Sequence, residues 1–197
     1  MALLDEDEYA QVFVRNADAS YQNASHISIS SSRLDGVRLS GCNLPKSRFV
    51  DAYFDKCDLS NVEMKLGRLT RVRFTDCKLT GLKISEGEFH DIVFEECLCD
   101  MMQIFGSELK NVSFKNCRLT NADLRSCKLK NVKFENCQLQ KSEIYGAKLD
   151  NVDCRGTSLQ GLKANASDLK GLVIDYQQAL DLAEYFASVI GIHIVKD

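Results

Sequence analysis

A large apolar residue returns at every fifth position over most of this 197-residue chain. From Leu34 to Ile174 that residue is Leu, Phe, Ile or Met, apart from Cys99, Cys154 and Ala164. A second register, two residues before each of these positions, is almost wholly small or apolar. Neither helices nor strands have this period, because their side chains repeat at 3.6 and 2 residues. The period therefore predicts a repeat architecture with two of every five side chains pointing inward.

A second period of twenty residues overlies the first. The central apolar residue is Phe at positions 54, 74, 94, 114 and 134, and Cys follows three positions later each time. A rule of period five alone does not produce such columns. Stacking of like residues does, if each coil lies about 4.8 Å above the previous one, as paired strands do. Four five-residue units would then form one coil.

Several of these units can be compared with a known family. TNADL at 120–124 is close to the unit A(D/N)LXX, and DGVRL, SGCNL, DKCDL, TDCKL, KNCRL and ENCQL are looser versions of it. On these units the sequence resembles the pentapeptide-repeat proteins over roughly residues 25–174. The resemblance implies an all-β solenoid, a right-handed quadrilateral β-helix. We expect an N-terminal cap at 1–24, the β-helix at 25–174 and a C-terminal segment at 175–197.

The C-terminal segment, DYQQALDLAEYFASVIGIHIVKD, has a different period. Its apolar residues recur at helical spacing, Asp175 stands where a helix N-cap is expected, and Gly191 is a typical C-terminal stop. The sequence therefore predicts a helix followed by a short strand, IHIV.

Composition and motifs favour a cytoplasmic protein that is not an enzyme. A net charge of -3 and a pI near 5.7 argue against direct nucleic-acid binding. The acidic N-terminus and the lack of a long apolar run predict no membrane span. All nine cysteines fall in the inward registers, without a CxxC pair, so we expect buried thiols and no metal or cofactor. Three separated histidines, His26, His90 and His193, indicate no catalytic group.

The outward positions offer two candidate contact surfaces. Carboxylates recur near one corner of the coil, and apolar residues replace polar ones in the middle of the chain. The acidic surface is equally typical of a merely solvated face, and the apolar positions could instead reflect locally distorted coils. The candidate acidic face comprises Asp35, Asp55, Asp58, Asp76, Glu95, Glu96 and Glu135, and the candidate apolar patch comprises Val93, Leu98, Met101 and Phe105.

An uninterrupted solenoid followed by GLVIDYQQALDLAEYF is similar to the branch of the family that protects DNA gyrase and topoisomerase IV, including the Qnr-type fluoroquinolone-resistance proteins. This resemblance implies a homodimer joined through the C-terminal helix, with an acidic surface that imitates DNA. The five-residue phase is unbroken, so the loops of several plasmid-borne members are not evident. The alternative is a scaffold that binds another protein. The dimer contact would comprise Tyr176, Ala179, Leu180, Ala183, Phe186 and Ile190.

Overall fold

The computed structural model describes residues 3–193, and within them the chain winds into a parallel β-solenoid of about eight coils with a short helical segment after it. Thirteen of the strands have only two or three residues, whereas two in the middle have eight. The strands are β1 Glu8–Ala10, β2 Phe13–Arg15, β3 Ser28–Ser30, β4 Arg33–Asp35, β5 Arg48–Val50, β6 Tyr53–Asp55, β7 Arg68–Thr70, β8 Arg73–Thr75, β9 Glu88–Glu95, β10 Glu108–Lys115, β11 Lys128–Lys130, β12 Lys133–Glu135, β13 Lys148–Asp150, β14 Val152–Asp153 and β15 Leu172–Val173.

Each coil has four sides, and each side pairs with the same side of the next coil at a spacing of twenty residues. On the first side β3 pairs with β5, and on the second β4 pairs with β6. The third and fourth sides are joined by single bridges, such as Arg38 to Asp58 and Asn43 to Glu63. The predicted twenty-residue coil is thereby confirmed.

The corners explain the five-residue period. Every fifth residue from Glu6 to Gly161 has a positive φ, and glycine occupies only a minority of these positions. One left-handed residue in every five turns the chain from one side of the coil onto the next. Asn is frequent at these corners because it tolerates the left-handed region better than most side chains.

The two inward registers form one continuous core. Its most regular feature is a stack of five phenylalanine rings, with successive centroids 4.6 to 5.1 Å apart. The smaller register also satisfies buried backbone groups. Ser142 Oγ and Thr157 Oγ1, for example, donate to the carbonyl oxygens of Leu119 and Phe134 at 2.8 and 3.0 Å.

The segment expected to be an N-terminal cap is built largely as a coil. Strands β1 and β2 pair with β3 and β4 in the same register as later coils, and Ala19 and Ala24 are buried. Tyr9 and Val14 occupy core positions but are only half-buried, because they lie in the terminal coil. The five-residue period is difficult to recognise in the sequence of this coil because many of its residues are polar or small.

The last coil departs from the pattern. A 3-10 helix, Ala166–Leu169, interrupts the corner rule, and the chain then returns through Gly171 to β15. A Cβ at Gly171 would lie 2.1 Å from the carbonyl oxygen of Leu149, and its φ is +94°, so only glycine fits there.

The predicted C-terminal helix is present as α1 Tyr176–Asp181 and α2 Ala183–Val189, which meet at Leu182. Asp175 is the N-cap, as predicted, and its side chain accepts a hydrogen bond from the backbone N–H of Gln178. Gly191 follows the end of α2 with φ +81°. Ile192 and His193 lie in no strand, and the rest of the predicted IHIV strand lies outside the described residues. None of the helices in residues 3–193 is long and apolar enough to span a bilayer.

Candidate protein-binding surfaces

The predicted acidic residues lie on two neighbouring columns and one adjacent side. Asp35, Asp55, Glu95 and Glu135 follow one another along the second side, with Thr75 and Lys115 between them. The other predicted residues lie beside this column: Asp76 and Glu96 at the next corner, and Asp58 on the third side.

Most of these carboxylates face a cation on a neighbouring coil. Five of the seven form ion pairs: Asp35 with Arg15 at 3.1 Å, Asp55 with Arg33 at 2.9 Å, Glu95 with Arg73 at 3.0 Å, Asp58 with Lys78 at 3.7 Å and Glu135 with Lys115 at 3.9 Å. No ion pair is found for Asp76 or Glu96 within the described part of the chain. The predicted acidic face therefore carries a ladder of ion pairs, and two of its seven carboxylates have none among the described residues.

Ion pairs between coils also cover the other sides. Arg71 donates to both carboxylate oxygens of Asp51, at 2.6 and 2.8 Å, and this arrangement lowers the pKa of Asp51. Lys83 pairs with Glu63 at 2.7 Å, and Lys163 with Glu143 at 2.8 Å. Exposed pairs contribute little individually to stability. Their main consequence is a rod whose sides carry little net charge.

The predicted apolar patch is spread around one coil. Leu98, Met101 and Phe105 are exposed, as predicted, whereas Val93 is half-buried. Val93 belongs to the second side, Leu98 to the third, and Phe105 follows the fourth-side position Gln103. The four residues thus lie on three successive sides of one coil. The five-residue pattern is kept here, although β9 and β10 join two sides into continuous strands.

An aromatic and basic column on the fourth side was not predicted. Phe105, Arg125 and Tyr145 lie at the same position of three successive coils, and both rings are more than a third exposed. The guanidinium of Arg125 lies 5.8 Å from the Phe105 ring centroid and is fixed by two hydrogen bonds to Asp123. Aromatic and arginine side chains are enriched in protein interfaces. The twenty-residue register brings these residues together and could have revealed the column.

The C-terminal helical segment has one face on the rod and one in solvent. Leu182 and Gln178 are buried against the last coil. All six residues predicted to form a dimer contact lie on the outer face, where Tyr176 and Ile190 are the most exposed, at 80% and 71%. We call these six residues the terminal apolar face. An open groove of about 610 Å³ beside it is lined by residues of the last coil and of the helices, including Gln160, Leu180 and Tyr185.

Gln178 is the residue of this region that the sequence did not reveal. Its side-chain Nε2 donates to the carbonyl oxygens of Cys154 and Thr157 at 2.5 and 2.6 Å, and its Oε1 accepts from the backbone N–H of Asp175 at 2.8 Å. Tyr185 adds a hydrogen bond from its hydroxyl to the carbonyl oxygen of Ala164. These contacts fix the helix on the end of the rod and thereby orient the terminal apolar face.

The interior of the rod is filled with buried, mostly apolar side chains. All nine cysteines are free and buried. Burial raises the pKa of Cys127 to about 11 and that of Cys154 to about 12, so these thiols stay protonated at neutral pH. A void of about 20 Å³ lies near Cys154, which occupies the position after Phe134 in the phenylalanine column. In residues 3–193 no three or more His, Cys, Asp and Glu side chains are grouped to hold a metal ion.

The four-sided solenoid with its left-handed corners defines a pentapeptide-repeat protein. The family model described as "Pentapeptide repeat region" matches residues 47–123 and 105–164, which together exceed half of the chain. The chain therefore belongs to the pentapeptide-repeat family. Among curated proteins no significant match is found.

Solved structures with distant similarity include three pentapeptide-repeat proteins. A trypsin-treated variant of QnrB1, a plasmid-mediated fluoroquinolone resistance protein, is 14% identical, with 96% of this chain and 100% of that chain covered and a TM-score of 0.37. HetL, involved in heterocyst differentiation regulation in Nostoc sp. strain PCC 7120, is 17% identical, with coverage of 87% and 89% and a TM-score of 0.32. Rfr23 from the cyanobacterium Cyanothece 51142 is 12% identical, with coverage of 88% and 91% and a TM-score of 0.24. At these identities and scores, the fold assignment rests on the repeat itself.

Proposed function

We propose that this protein is a homodimeric scaffold that binds a protein partner along the sides of its rod. The observation that carries this proposal is the contrast between a filled interior and an unpartnered apolar face at one end. A filled solenoid has no room for a substrate, so its interactions occur on the outside. An apolar stripe of six residues without a charge is unusual on a monomer and is typical of an interface.

The occupant of the terminal apolar face is a second copy of the chain. Tyr176, Leu180 and Phe186 lie on one stripe at helical spacing, and a two-fold axis would place the same stripe of each copy against the other. The stripe lies at the end of the rod, so two copies would join end to end and leave all four sides free for a partner.

Light scattering of the full-length protein tests the dimer. We expect the mass of two chains for the wild type and of one chain for Leu180→Glu/Phe186→Glu, because burying two carboxylates in an apolar contact is unfavourable. Leu66→Glu is the matched control, since Leu66 is exposed at a mid-rod corner. A wild type that remains monomeric at high micromolar concentration would contradict the dimer.

The more specific form of the proposal is protection of DNA gyrase or topoisomerase IV. Its support is the resemblance of the uninterrupted solenoid and the helical end to the topoisomerase-protecting branch. The ion-pair ladder limits imitation of DNA by charge, because most carboxylates of the predicted acidic face are neutralised by Arg or Lys. Asp76 and Glu96, which lie at successive positions of one corner column, would carry the remaining negative potential.

A gyrase supercoiling assay with a fluoroquinolone distinguishes this form from the general scaffold. Protection would appear as recovered supercoiling when the protein is added across a concentration series. Asp76→Lys/Glu96→Lys should then reduce protection, whereas Glu86→Lys/Asp91→Lys, the same charge change at other corners, should not. A dimer without any effect on gyrase would refute topoisomerase protection and favour a different protein partner, to be sought along the Phe105, Arg125 and Tyr145 column.

A further inference from the structure

Five cysteines form a straight column inside the rod. Cys57, Cys77, Cys97, Cys117 and Cys137 occupy the same position of five successive coils, and each is at most 3% exposed. Nothing in the proposed function uses them.

The sulfur atoms of this column are regularly placed. Each Sγ donates to the carbonyl oxygen of the residue 23 positions earlier, and the five distances lie between 3.4 and 3.5 Å. Each also contacts the carbonyl oxygen two positions earlier, at 3.2 to 3.4 Å. Equal contacts require equal side-chain rotamers. Neighbouring sulfurs are therefore separated by about one coil rise, about 4.8 Å.

The fold does not require a thiol at this position. Val37 occupies the column in an earlier coil, and Thr157 occupies it in a later coil and makes the same hydrogen bond to the carbonyl oxygen of Phe134. Packing alone therefore does not explain why five successive coils have cysteine at this position, and a chemical role would explain it.

We propose that neighbouring thiols of this column form two-coordinate sites for a soft divalent cation of the mercuric type. Zinc–thiolate bonds are about 2.3 Å long, and an ion midway between two sulfurs of neighbouring coils would lie at a similar distance, about 2.4 Å, from each. Soft thiolate ligands select soft ions. For each ion bound, two S–H bonds break and two metal–sulfur bonds form, and the two ligands that the ion carried, chloride or glutathione thiolate, leave with the two protons.

Charge and coordination number define the class of ion. A divalent ion with two thiolates is neutral, whereas a monovalent ion would leave a net negative charge inside the core, which is costly. Zinc normally requires four ligands, and no group of three or more suitable side chains occurs in the part of the chain that the structure describes. Five thiols make at most two separate neighbouring pairs, so the column would hold two ions.

The test is a titration of the reduced, full-length protein with mercuric chloride in excess glutathione, followed by native mass spectrometry and thermal unfolding. We expect two retained ions per chain and a higher Tm, because an ion that binds the folded state stabilises it. Cys77→Ser/Cys99→Ala/Cys117→Ser leaves no two column thiols in neighbouring coils and should retain neither ion. Cys42→Ser/Cys127→Ser/Cys154→Ala also removes three thiols but preserves the column, and it should retain both.

Three outcomes would overturn the proposal. Equal retention by the two triple variants would show that the column is not the site. A lower Tm of the wild type with mercuric ion would show that the ion binds the unfolded chain, and this readout needs no variant to fold. Retention of silver(I) in preference to the mercuric ion would contradict the requirement for a neutral site.

Discussion

Replacing Gln178 with Ala should loosen the C-terminal helix from the rod while the remaining coils stay folded. Gln178 is 4% exposed, and its amide bridges the last coil and the start of α1. The carbonyl oxygen of Cys154 would keep a second partner, the backbone N–H of Thr157 at 3.0 Å. The carbonyl oxygen of Thr157 and the backbone N–H of Asp175 would lose the hydrogen bonds that Gln178 makes to them.

The expected cost follows from these two groups. A buried polar group left without a partner costs about 1–3 kcal/mol. Asp175 is only partly buried, so water would restore part of its loss, and we expect a total of about 2–3 kcal/mol. Because each coil of a solenoid is held mainly by its neighbours, this loss should be local to the end of the rod.

Hydrogen exchange across residues 176–190, measured with the dimer mass, tests the prediction. Gln178→Ala should speed exchange in both helices and weaken the dimer, and Gln138→Ala, at an exposed position on the third side of the rod, should do neither. Gln178→Glu places a carboxylate against two carbonyl oxygens, so its defect should diminish at low pH, when the carboxyl group can donate. Unchanged exchange in Gln178→Ala would refute the assignment of Gln178 as the anchor of the helix.

Three other perturbations test the packing and the cap. Hydrogen bonds from the backbone N–H groups of Gln178 and Gly156 lower the pKa of Asp175 below its ordinary value of 3.8. The stability that Asp175 contributes is therefore present above pH 3.8 and is lost as the pH falls through the lowered pKa. Hydrogen exchange in the helices should rise in that pH range in the wild type but not in Asp175→Asn, which does not titrate. Cys154→Val adds one heavy atom beside the neighbouring void and should raise stability by about 0.5–2 kcal/mol in chemical denaturation, and no gain would show that the void does not accept a methyl group. Phe94→Ala should cost about 3–5 kcal/mol because it interrupts the ring stack, whereas Phe105→Ala, at an exposed position, should cost far less.

The coils were predictable from the sequence because the burial of each residue depends on its position in the five-residue and twenty-residue repeats. A residue such as Phe94 lies between two like residues at fixed offsets, so its burial follows from counting. The predicted burial of all nine cysteines is confirmed for the same reason. The cap at Asp175 was predictable because it is a local interaction within four residues.

The neutralised acidic face was harder to foresee because two of its five ion pairs cross from one column to the next. Arg33 pairs with Asp55 and Arg73 with Glu95, each 22 residues apart, so a survey of the carboxylate column alone does not include these two cations. Arg15 and Lys115 lie in that column, 20 residues from Asp35 and Glu135. The exposed aromatic column was missed for a similar reason, since Phe105 was grouped with its neighbours in sequence and not with Arg125 and Tyr145 on the next coils. Surface chemistry on a solenoid has to be followed along the columns.

The role of Gln178 could not be predicted from the five-residue register or from the columns of the coil. Its position therefore indicates which part of the protein determines specificity. A glutamine in an amphipathic helix is ordinarily a solvent-facing residue, and its burial depends on carbonyl groups that exist only because the solenoid stops there. Inside the rod, one coil can replace another without changing the contacts its neighbours make. The end coils and the outward columns are free of that constraint, so differences in partner and assembly must be encoded there. The terminal apolar face, oriented by Gln178, is the part of this chain where that reasoning predicts the strongest effect of single substitutions on assembly.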